Sequence, residues 1–129
     1  MTAPARTHDR LTALARIAMA LATALILWGT LWRDAPPAGP EIPYFDKLMH
    51  LVAFAAWAGL LRLAWGGPVW AVIAIGAGFG AAIELIQPLT GRQAELADLA
   101  ADIAGCVIGV WFAGALRRLW PGRDSVTRG

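Results

Sequence analysis

Four long apolar runs, separated by short segments rich in proline, glycine or charge, dominate this sequence. A helix needs about 20 mostly apolar residues to cross the hydrocarbon core of a bilayer, which is roughly 30 Å thick. The four runs cover residues 11–32, 46–65, 69–86 and 96–120, and each is long enough to cross. The sequence therefore predicts an all-α fold, an integral membrane bundle of four transmembrane helices.

The composition of the chain supports membrane insertion. Of its 129 residues, 58% are hydrophobic and seven are Trp, whereas soluble domains contain roughly 45–50% apolar residues. A soluble domain this short would leave much of that apolar surface exposed to water. Membrane lipids can cover the excess, so we expect one membrane domain over residues 1–129.

Basic residues gather at the two ends of the chain. They directly flank apolar runs, which indicates membrane topology and not nucleic-acid binding, because Lys and Arg collect in cytoplasmic segments. We therefore expect a multi-pass protein of the cell membrane with both termini cytoplasmic. The sequence specifies no oligomeric state. The residues concerned are Arg6, Arg10, Arg16, Arg117, Arg118, Arg123 and Arg128.

The first apolar run also has features of a signal peptide, since it is preceded by basic residues. It is longer than a typical signal core and ends in Trp28 and Trp32, which suit a membrane interface. We therefore expect a retained helix. The prolines of residues 33–44 predict an external loop. Two glycines and Pro68 predict a tight turn at residues 66–68, and a short polar loop is expected at residues 88–97.

Ionisable residues that are distant in sequence fall at the same side of the predicted bundle. They lie at the start of the second helix, the end of the third, the following loop and the start of the fourth. Ionisable groups inside a membrane are costly, usually face the bundle interior and mark functional sites. This convergence predicts an external polar pocket. Its members are Asp46, Lys47, His50, Glu84, Gln87, Arg92, Glu95, Asp98 and Asp102.

Helical spacing predicts contacts within this set. Asp46 and His50 are four residues apart, so they share a helix face and are placed to form a hydrogen bond. Glu84 lies near a helix end, where the helix dipole disfavours a carboxylate and a compensating partner is needed. We expect Arg92 to be that partner, with Lys47 as the second candidate.

Glycines extend two of the polar stripes towards the middle of the membrane. Gly76 and Gly80 precede Glu84 on one face, and the stripe of Asp98 and Asp102 continues to further glycines. Small residues at such spacing let membrane helices approach closely. We expect these stripes, completed by Gly105 and Gly109, to press the carboxylates towards one another.

Simpler roles are open for several of these residues. Asp98 can cap the fourth helix, Lys47 can anchor the chain at the membrane interface, and His50 can be an interior histidine with satisfied hydrogen bonds. Cys106 is the one cysteine, so it permits neither an intramolecular disulfide nor a zinc framework. We expect Cys106 to be a buried, inert thiol.

The polar motifs resemble those of the VanZ-like family of small membrane proteins. The resemblance covers residues 43–113, where the order is Asp46-Lys47-x-x-His50, then Glu84-x-x-Gln87, then Arg92 and Asp98. The family often has Asn at position 102, where this chain has Asp, and often has Ser or Thr before Asp98, where this chain has Ala94 and Glu95. The resemblance implies a role in the cell envelope, since the namesake of the family is linked to teicoplanin resistance.

The first functional hypothesis is a non-enzymatic envelope factor that binds a lipid-linked or glycopeptide-related anionic ligand. Lys47 and Arg92 would meet phosphate or other anionic groups, and the carboxylates would hold these bases and His50 in place. No cofactor and no resident metal is assigned. The predicted ligand-binding residues are Lys47, His50, Gln87, Arg92, Asp98 and Asp102.

Two alternatives belong to other classes. A membrane enzyme acting on a lipid head group could use His50 with Asp46 as a general base, and Glu84 with Asp98 or Asp102 as an acid or a metal site. No Ser or Cys nucleophile lies near this set, so a covalent mechanism would need His50 or a carboxylate. A small transporter is the third hypothesis, but titratable groups on one side of the bilayer trace no path across it.

Overall fold

The fold is a bundle of four long helices. In the computed structural model, residues 3–32 and 42–119 are described, with side chains from residue 9 onward. The helices are α1 (Ala3–Leu31), α2 (Phe45–Trp65), α3 (Val69–Ile86) and α4 (Leu96–Leu119). All four are long and apolar enough to span a membrane, and the described residues contain no strand. The predicted fold class is confirmed.

The observed boundaries differ from the predicted ones at a few places. Helix α1 begins eight residues before the expected position 11, although its apolar span starts at Asp9. Residues 87–90 form a 3-10 turn where the sequence predicted the start of a loop, because Pro88 fits the first positions of a helical turn. Position 120 and most of the predicted external loop, residues 33–41, lie outside the described residues.

Two glycines end helical segments in the left-handed conformation. Gly66 has φ 76° and donates its backbone N–H to the carbonyl of Arg62, which ends α2. Gly91 has φ 78° and ends the 3-10 turn in the same way. Glycine adopts this conformation without the steric cost that a Cβ would add. Both glycines reverse the chain, so α2 and α4 each lie beside α3.

The predicted glycine stripes form the packing surfaces of α4. A Cβ on Gly105 would overlap the main chain of Leu51, and one on Gly109 would overlap that of Ala55. On the other side, a Cβ on Gly76 would meet the Sγ of Cys106, which is buried as expected. Helices α2 and α4 therefore touch backbone to backbone, and this approach fixes where their polar side chains meet.

Helix α1 packs against this core through few residues. Ile26 is buried among the core side chains, and the indole Nε1 of Trp57 donates to the hydroxyl of Thr23 over 2.8 Å. Most large apolar side chains of α1, including Leu21 and Leu25, are exposed in the protein itself. A bilayer would cover them with acyl chains, so the exposed face matches a lipid boundary.

One end of the bundle is held by arginines that donate to main-chain carbonyls. Arg117 on α4 donates through Nη2 to the carbonyl of Arg62 over 2.6 Å and contacts that of Leu63 at 3.3 Å. Arg62 itself donates to the carbonyl of Gly67. The last carbonyls of a helix have no partner inside it and favour cations. We refer to Arg62 and Arg117 as the arginine end.

Candidate functional site

The other end of the bundle collects the polar side chains that the sequence placed there. The starts of α2 and α4 meet the end of α3, and the side chains form a connected group. Glu84, Asp98 and Asp102 are buried, so these carboxylates face the bundle interior. The predicted convergence is confirmed, and we refer to this region as the polar end.

The deeper part of the polar end, the inner cluster, consists of His50, Glu84 and Asp102. The Nδ1 of His50 lies 2.8 Å from Oδ1 of Asp102 and donates a hydrogen bond to it. One nitrogen or oxygen from each of the three residues lies within 4.8 Å of the others. Each of the helices α2, α3 and α4 thus contributes one side chain with an atom that can bind a metal ion or accept a proton.

Two carboxylate oxygens of the inner cluster have no hydrogen-bond partner among the described residues. They are Oε1 of Glu84 and Oδ2 of Asp102, and both are buried. The side chain of Asp102 is fully buried. A Cβ at position 80 would lie 2.6 Å from Oδ2 of Asp102. The absence of a side chain at Gly80 therefore makes room for this oxygen against α3, the helix that carries Glu84 one turn further on.

Nearer the surface, the outer cluster consists of Asp46, Lys47, Glu95 and Asp98. The ammonium group of Lys47 lies 2.5 Å from a carboxylate oxygen of Asp46, 2.5 Å from one of Glu95 and 3.0 Å from one of Asp98. Asp46 and Glu95 are exposed, whereas Asp98 is buried. Lys47 therefore contacts three carboxylates at once, a more specific position than an interfacial anchor would require.

His50 does not form the predicted hydrogen bond with Asp46. Its ring points towards α4, where Nδ1 meets Asp102 and Nε2 lies 3.8 Å from Asp98, while Asp46 pairs with Lys47. Spacing of four residues places two side chains on one helix face but does not decide which neighbour each turns to. The close approach of α2 to α4 supplies a buried partner that helical spacing alone does not reveal.

The predicted partners of Glu84 are also wrong. Oε2 of Glu84 accepts a hydrogen bond of 2.6 Å from the backbone N–H of Glu95, and no ion pair with Arg92 or Lys47 forms among the described residues. Lys47 is occupied by the outer cluster. The segment after the 3-10 turn folds back over the end of α3, so a main-chain donor reaches the carboxylate.

Glu95 belongs to the predicted polar pocket but not to the predicted ligand-binding residues, and the structure places it between the two clusters. Its side chain holds Lys47 and its main chain holds Glu84, so it connects the outer cluster to the inner one. The sequence placed it in the adjoining loop, and its position three residues before Asp98 was the available signal. The predicted residue Asp98 lies in the first turn of α4, where a helix dipole favours a carboxylate.

An open cavity of about 270 Å³ lies over these clusters. Its lining is entirely polar, and it includes the buried Gln87 together with Arg92 from the adjoining loop. Oε1 of Gln87 has no hydrogen-bond partner, while its Nε2 donates to the carbonyl of Thr30 on α1. The complete lining is Asp46, His50, Gln87, Arg92, Gln93, Glu95 and Asp98.

Arg92 reaches this cavity from a segment that main-chain hydrogen bonds hold at both ends. Its backbone N–H donates to the carbonyl of Gln87 over 3.0 Å, and the N–H of Glu95 donates to Glu84. Among residues with described side chains, the guanidinium of Arg92 has neither a hydrogen bond nor an ion pair. The cavity thus holds one arginine whose donors are available.

Comparison with known proteins identifies one family. The family model described as VanZ/LLP1 matches residues 5–117, which includes all four helices and every residue of the polar end. The resemblance inferred from the polar motifs is confirmed, and the match extends beyond residues 43–113 on both sides. No curated protein and no solved structure matches the chain.

Proposed function

Because the chain belongs to the VanZ/LLP1 family and has four helices suited to span a membrane, we propose that it is an envelope factor that binds an anionic ligand. The ligand is a lipid-linked or glycopeptide-related molecule, and it enters the cavity at the polar end. Phosphate is the chemistry shared by lipid-linked ligands, and carboxylate is the equivalent group of a glycopeptide. The family resemblance suggests an effect on teicoplanin susceptibility.

The observation that carries this proposal is the position of Arg92 in the cavity. A guanidinium offers five N–H donors in a planar fork and binds phosphate or carboxylate with two parallel hydrogen bonds. Arg92 lines the cavity and is half-buried, so an incoming anion would meet it in a partly desolvated place. Arginine binds such anions with more geometric selectivity than lysine.

Lys47 has a supporting role in this proposal. Its three carboxylate contacts leave it poorly placed to receive a ligand, but they reduce the negative charge around the cavity. If Lys47 were absent, the three carboxylates of the outer cluster would repel an anion at Arg92 more strongly. Gln87 also lines the cavity, and its Nε2 carries a second N–H besides the one that it donates to the carbonyl of Thr30.

We further propose that the polar end faces the outside of the cell membrane. The basic residues at both ends of the chain, together with Arg62 between α2 and α3, favour cytoplasmic termini. The cavity would then open at the outer leaflet, where lipid-linked envelope precursors and glycopeptides are accessible. Labelling of a cysteine introduced beside Arg92, with Cys106 replaced, tests this orientation in intact cells.

The binding proposal is tested with Arg92→Ala. The full chain in lipid nanodiscs is titrated with a short-chain prenyl phosphate and, separately, with teicoplanin, which distinguishes the two ligand sources. A hydrogen bond to a charged group contributes about 1.5–3 kcal/mol, so affinity for the true ligand should fall about 10- to 100-fold. Arg118→Ala, an exposed arginine on α4 at the opposite end, is the matched control.

In cells, Arg92→Ala should remove the effect on teicoplanin susceptibility while the protein stays in the membrane. An Arg92→Ala variant with unchanged affinity for both ligands and unchanged susceptibility would refute the proposal. Arg92→Lys keeps the charge but loses the fork, so an intermediate affinity supports two-point recognition. Turnover of the prenyl phosphate in the same nanodiscs would instead favour the membrane enzyme.

A further inference from the structure

We propose that the inner cluster binds a divalent transition-metal ion, with His50, Glu84 and Asp102 as its ligands. The proposal goes beyond anion binding and does not depend on it, because the ion can be measured without any other ligand. The three residues come from α2, α3 and α4, so the ion would join three helices at the floor of the cavity.

Geometry is the first support for this site. Ligand atoms around an ion of this class lie about 2.0–2.2 Å from it, so no two are more than about 4.4 Å apart. One potential ligand atom from each of His50, Glu84 and Asp102 lies within 4.8 Å of the others. Side-chain movements that shift the ligand atoms by a few tenths of an ångström would complete the coordination without moving a helix.

Unsatisfied buried oxygens are the second and independent support. Within the part of the chain that the structure describes, Oε1 of Glu84 and Oδ2 of Asp102 have no hydrogen-bond partner, although the two residues are only 8% and 0% exposed. Buried polar atoms in native proteins are nearly always paired, and a lone carboxylate inside a membrane is costly. Gly80 leaves space for Oδ2 of Asp102 on the side of Glu84, where an ion would satisfy both oxygens.

Charge balance also favours a cation at this position. The inner cluster contains two carboxylates, and His50 can supply at most one positive charge. Lys47, the one lysine of the chain, is bound by the outer cluster. A divalent ion would neutralise Glu84 and Asp102 together, which a single histidine does not.

The outer cluster offers a competing set of ligands, because atoms of Asp46, Glu95 and Asp98 also lie within 4.8 Å of one another. That position already contains a cation. The ammonium of Lys47 contacts all three carboxylates at 2.5–3.0 Å, so a metal would have to displace it. The inner cluster has no such occupant among the described side chains, and it is therefore the site.

The ligand types indicate which ions would bind. Imidazole suits Zn²⁺ and neighbouring transition metals, carboxylates also suit Mn²⁺, and no thiolate is in the set. Three protein ligands leave at least one coordination position for water or a ligand oxygen. His50 lines the cavity, so this position can open towards it, close to Gln87 and its unpartnered Oε1.

The test uses the full chain in nanodiscs, stripped with a chelator and free of any histidine tag. Zn²⁺ and Mn²⁺ are titrated alone by calorimetry, and bound metal is counted by elemental analysis. We expect one ion per chain. Glu84→Gln and Asp102→Asn should each weaken binding about 100-fold or more, because even outer partners of metal ligands contribute about 10- to 100-fold.

The matched controls are Asp46→Asn and Glu95→Gln, which remove carboxylates from the outer cluster and should change metal affinity less than threefold. Loss of binding in these controls, with retention in the inner variants, would overturn the assignment, as would the absence of binding in the unaltered protein. A variant that fails to fold does not prevent the test. Mn²⁺ bound to the unaltered chain should show ¹⁴N coupling from His50 in pulsed electron paramagnetic resonance, and no coupling refutes the site.

Discussion

The two ends of the bundle differ in how their polar and charged groups are paired. At the arginine end, Arg62 and Arg117 donate to main-chain carbonyls in the last turn of α2 and in the turn that follows it. At the polar end, side chains from three helices contact one another, and several buried oxygens remain without a partner. The arginine end is built as a cap, and Nε of Arg62 is its one buried side-chain atom without a hydrogen-bond partner among the described residues, whereas the polar end has four such atoms.

This difference indicates where function lies. A cap needs only the backbone that the fold already provides, so it contributes to stability and requires no ligand. A cluster that leaves Glu84 and Asp102 with free oxygens is incomplete by the standards of a protein interior. Substitutions that affect one end, the other or both can test this distinction.

The largest effect is expected from Gly109→Ala, which should weaken both ends. The added methyl group would overlap the main chain of Ala55, so α2 and α4 must separate. Overpacking costs about 1–3 kcal/mol, and we expect about 3 kcal/mol because the obstacle is backbone. The free energy of unfolding is measured by detergent titration, and hydrogen exchange should increase at both ends.

Gly114→Ala on the same helix is the control for Gly109→Ala. A Cβ at position 114 meets no atom within 4 Å, and alanine is the better helix former by about 1 kcal/mol. Gly114→Ala should therefore be neutral or stabilising. Equal destabilisation by both substitutions would show that close helix contact at Gly109 does not hold the ends together.

A smaller effect, confined to the polar end, is expected from His50→Ala. The substitution removes the donor to Oδ1 of Asp102 and leaves the buried carboxylate without it. We expect a loss of about 2 kcal/mol, close to the lower cost of a charged group within a membrane helix. Asp46→Asn, which affects an exposed ion pair, should cost no more than about 0.5 kcal/mol.

The double substitution His50→Ala/Asp102→Ala completes a mutant cycle. Hydrogen bonds between membrane helices contribute about 1–2 kcal/mol in model peptides, and we expect a coupling energy in that range. Hydrogen exchange at the arginine end should stay unchanged throughout the cycle. Additive effects of the two single substitutions would mean that this contact is not a stabilising interaction.

Apart from the control substitutions, the smallest effect is expected from Arg117→Ala, which affects the arginine end. It removes the donor to the carbonyl of Arg62 and a positive charge from the C-terminal end of α2. A cation near a helix C-terminus contributes about 0.3–1 kcal/mol, so the unfolding free energy should fall by about 1 kcal/mol. Metal and anion affinities should not change, and a loss of either would contradict the separation of the two ends.

Sequence reasoning located the polar end but not its internal contacts. Apolar run length predicted the four helices, and helical spacing placed Asp98, Asp102, Gly105 and Gly109 on one face of α4, as their burial shows. The depth of Glu84 followed from its place at the end of α3. These predictions depend on helix periodicity, which a single sequence contains.

The contacts that sequence reasoning missed depend on tertiary geometry. The pairing of His50 with Asp102 depends on the separation and rotation of α2 and α4. Two residues that are 52 positions apart in the sequence do not encode this geometry locally. The donor to Glu84 is a backbone N–H, and every residue except proline has one, so no residue type marks it. The positive charge of Arg92 made it the predicted partner of Glu84. In the folded loop, the backbone N–H of Glu95 takes that role.

The short segment that carries Arg92 has a consequence for how fast and how tightly a ligand can be captured. The main chain is tied to Gln87 on one side of Arg92 and, through Glu95, to Glu84 on the other. A binding group on a freely moving loop must lose conformational entropy when it meets its target, and this loss weakens affinity. Here the backbone of the segment is mostly ordered when the protein folds. Ligand binding therefore requires only the side chain of Arg92 to adopt one conformation.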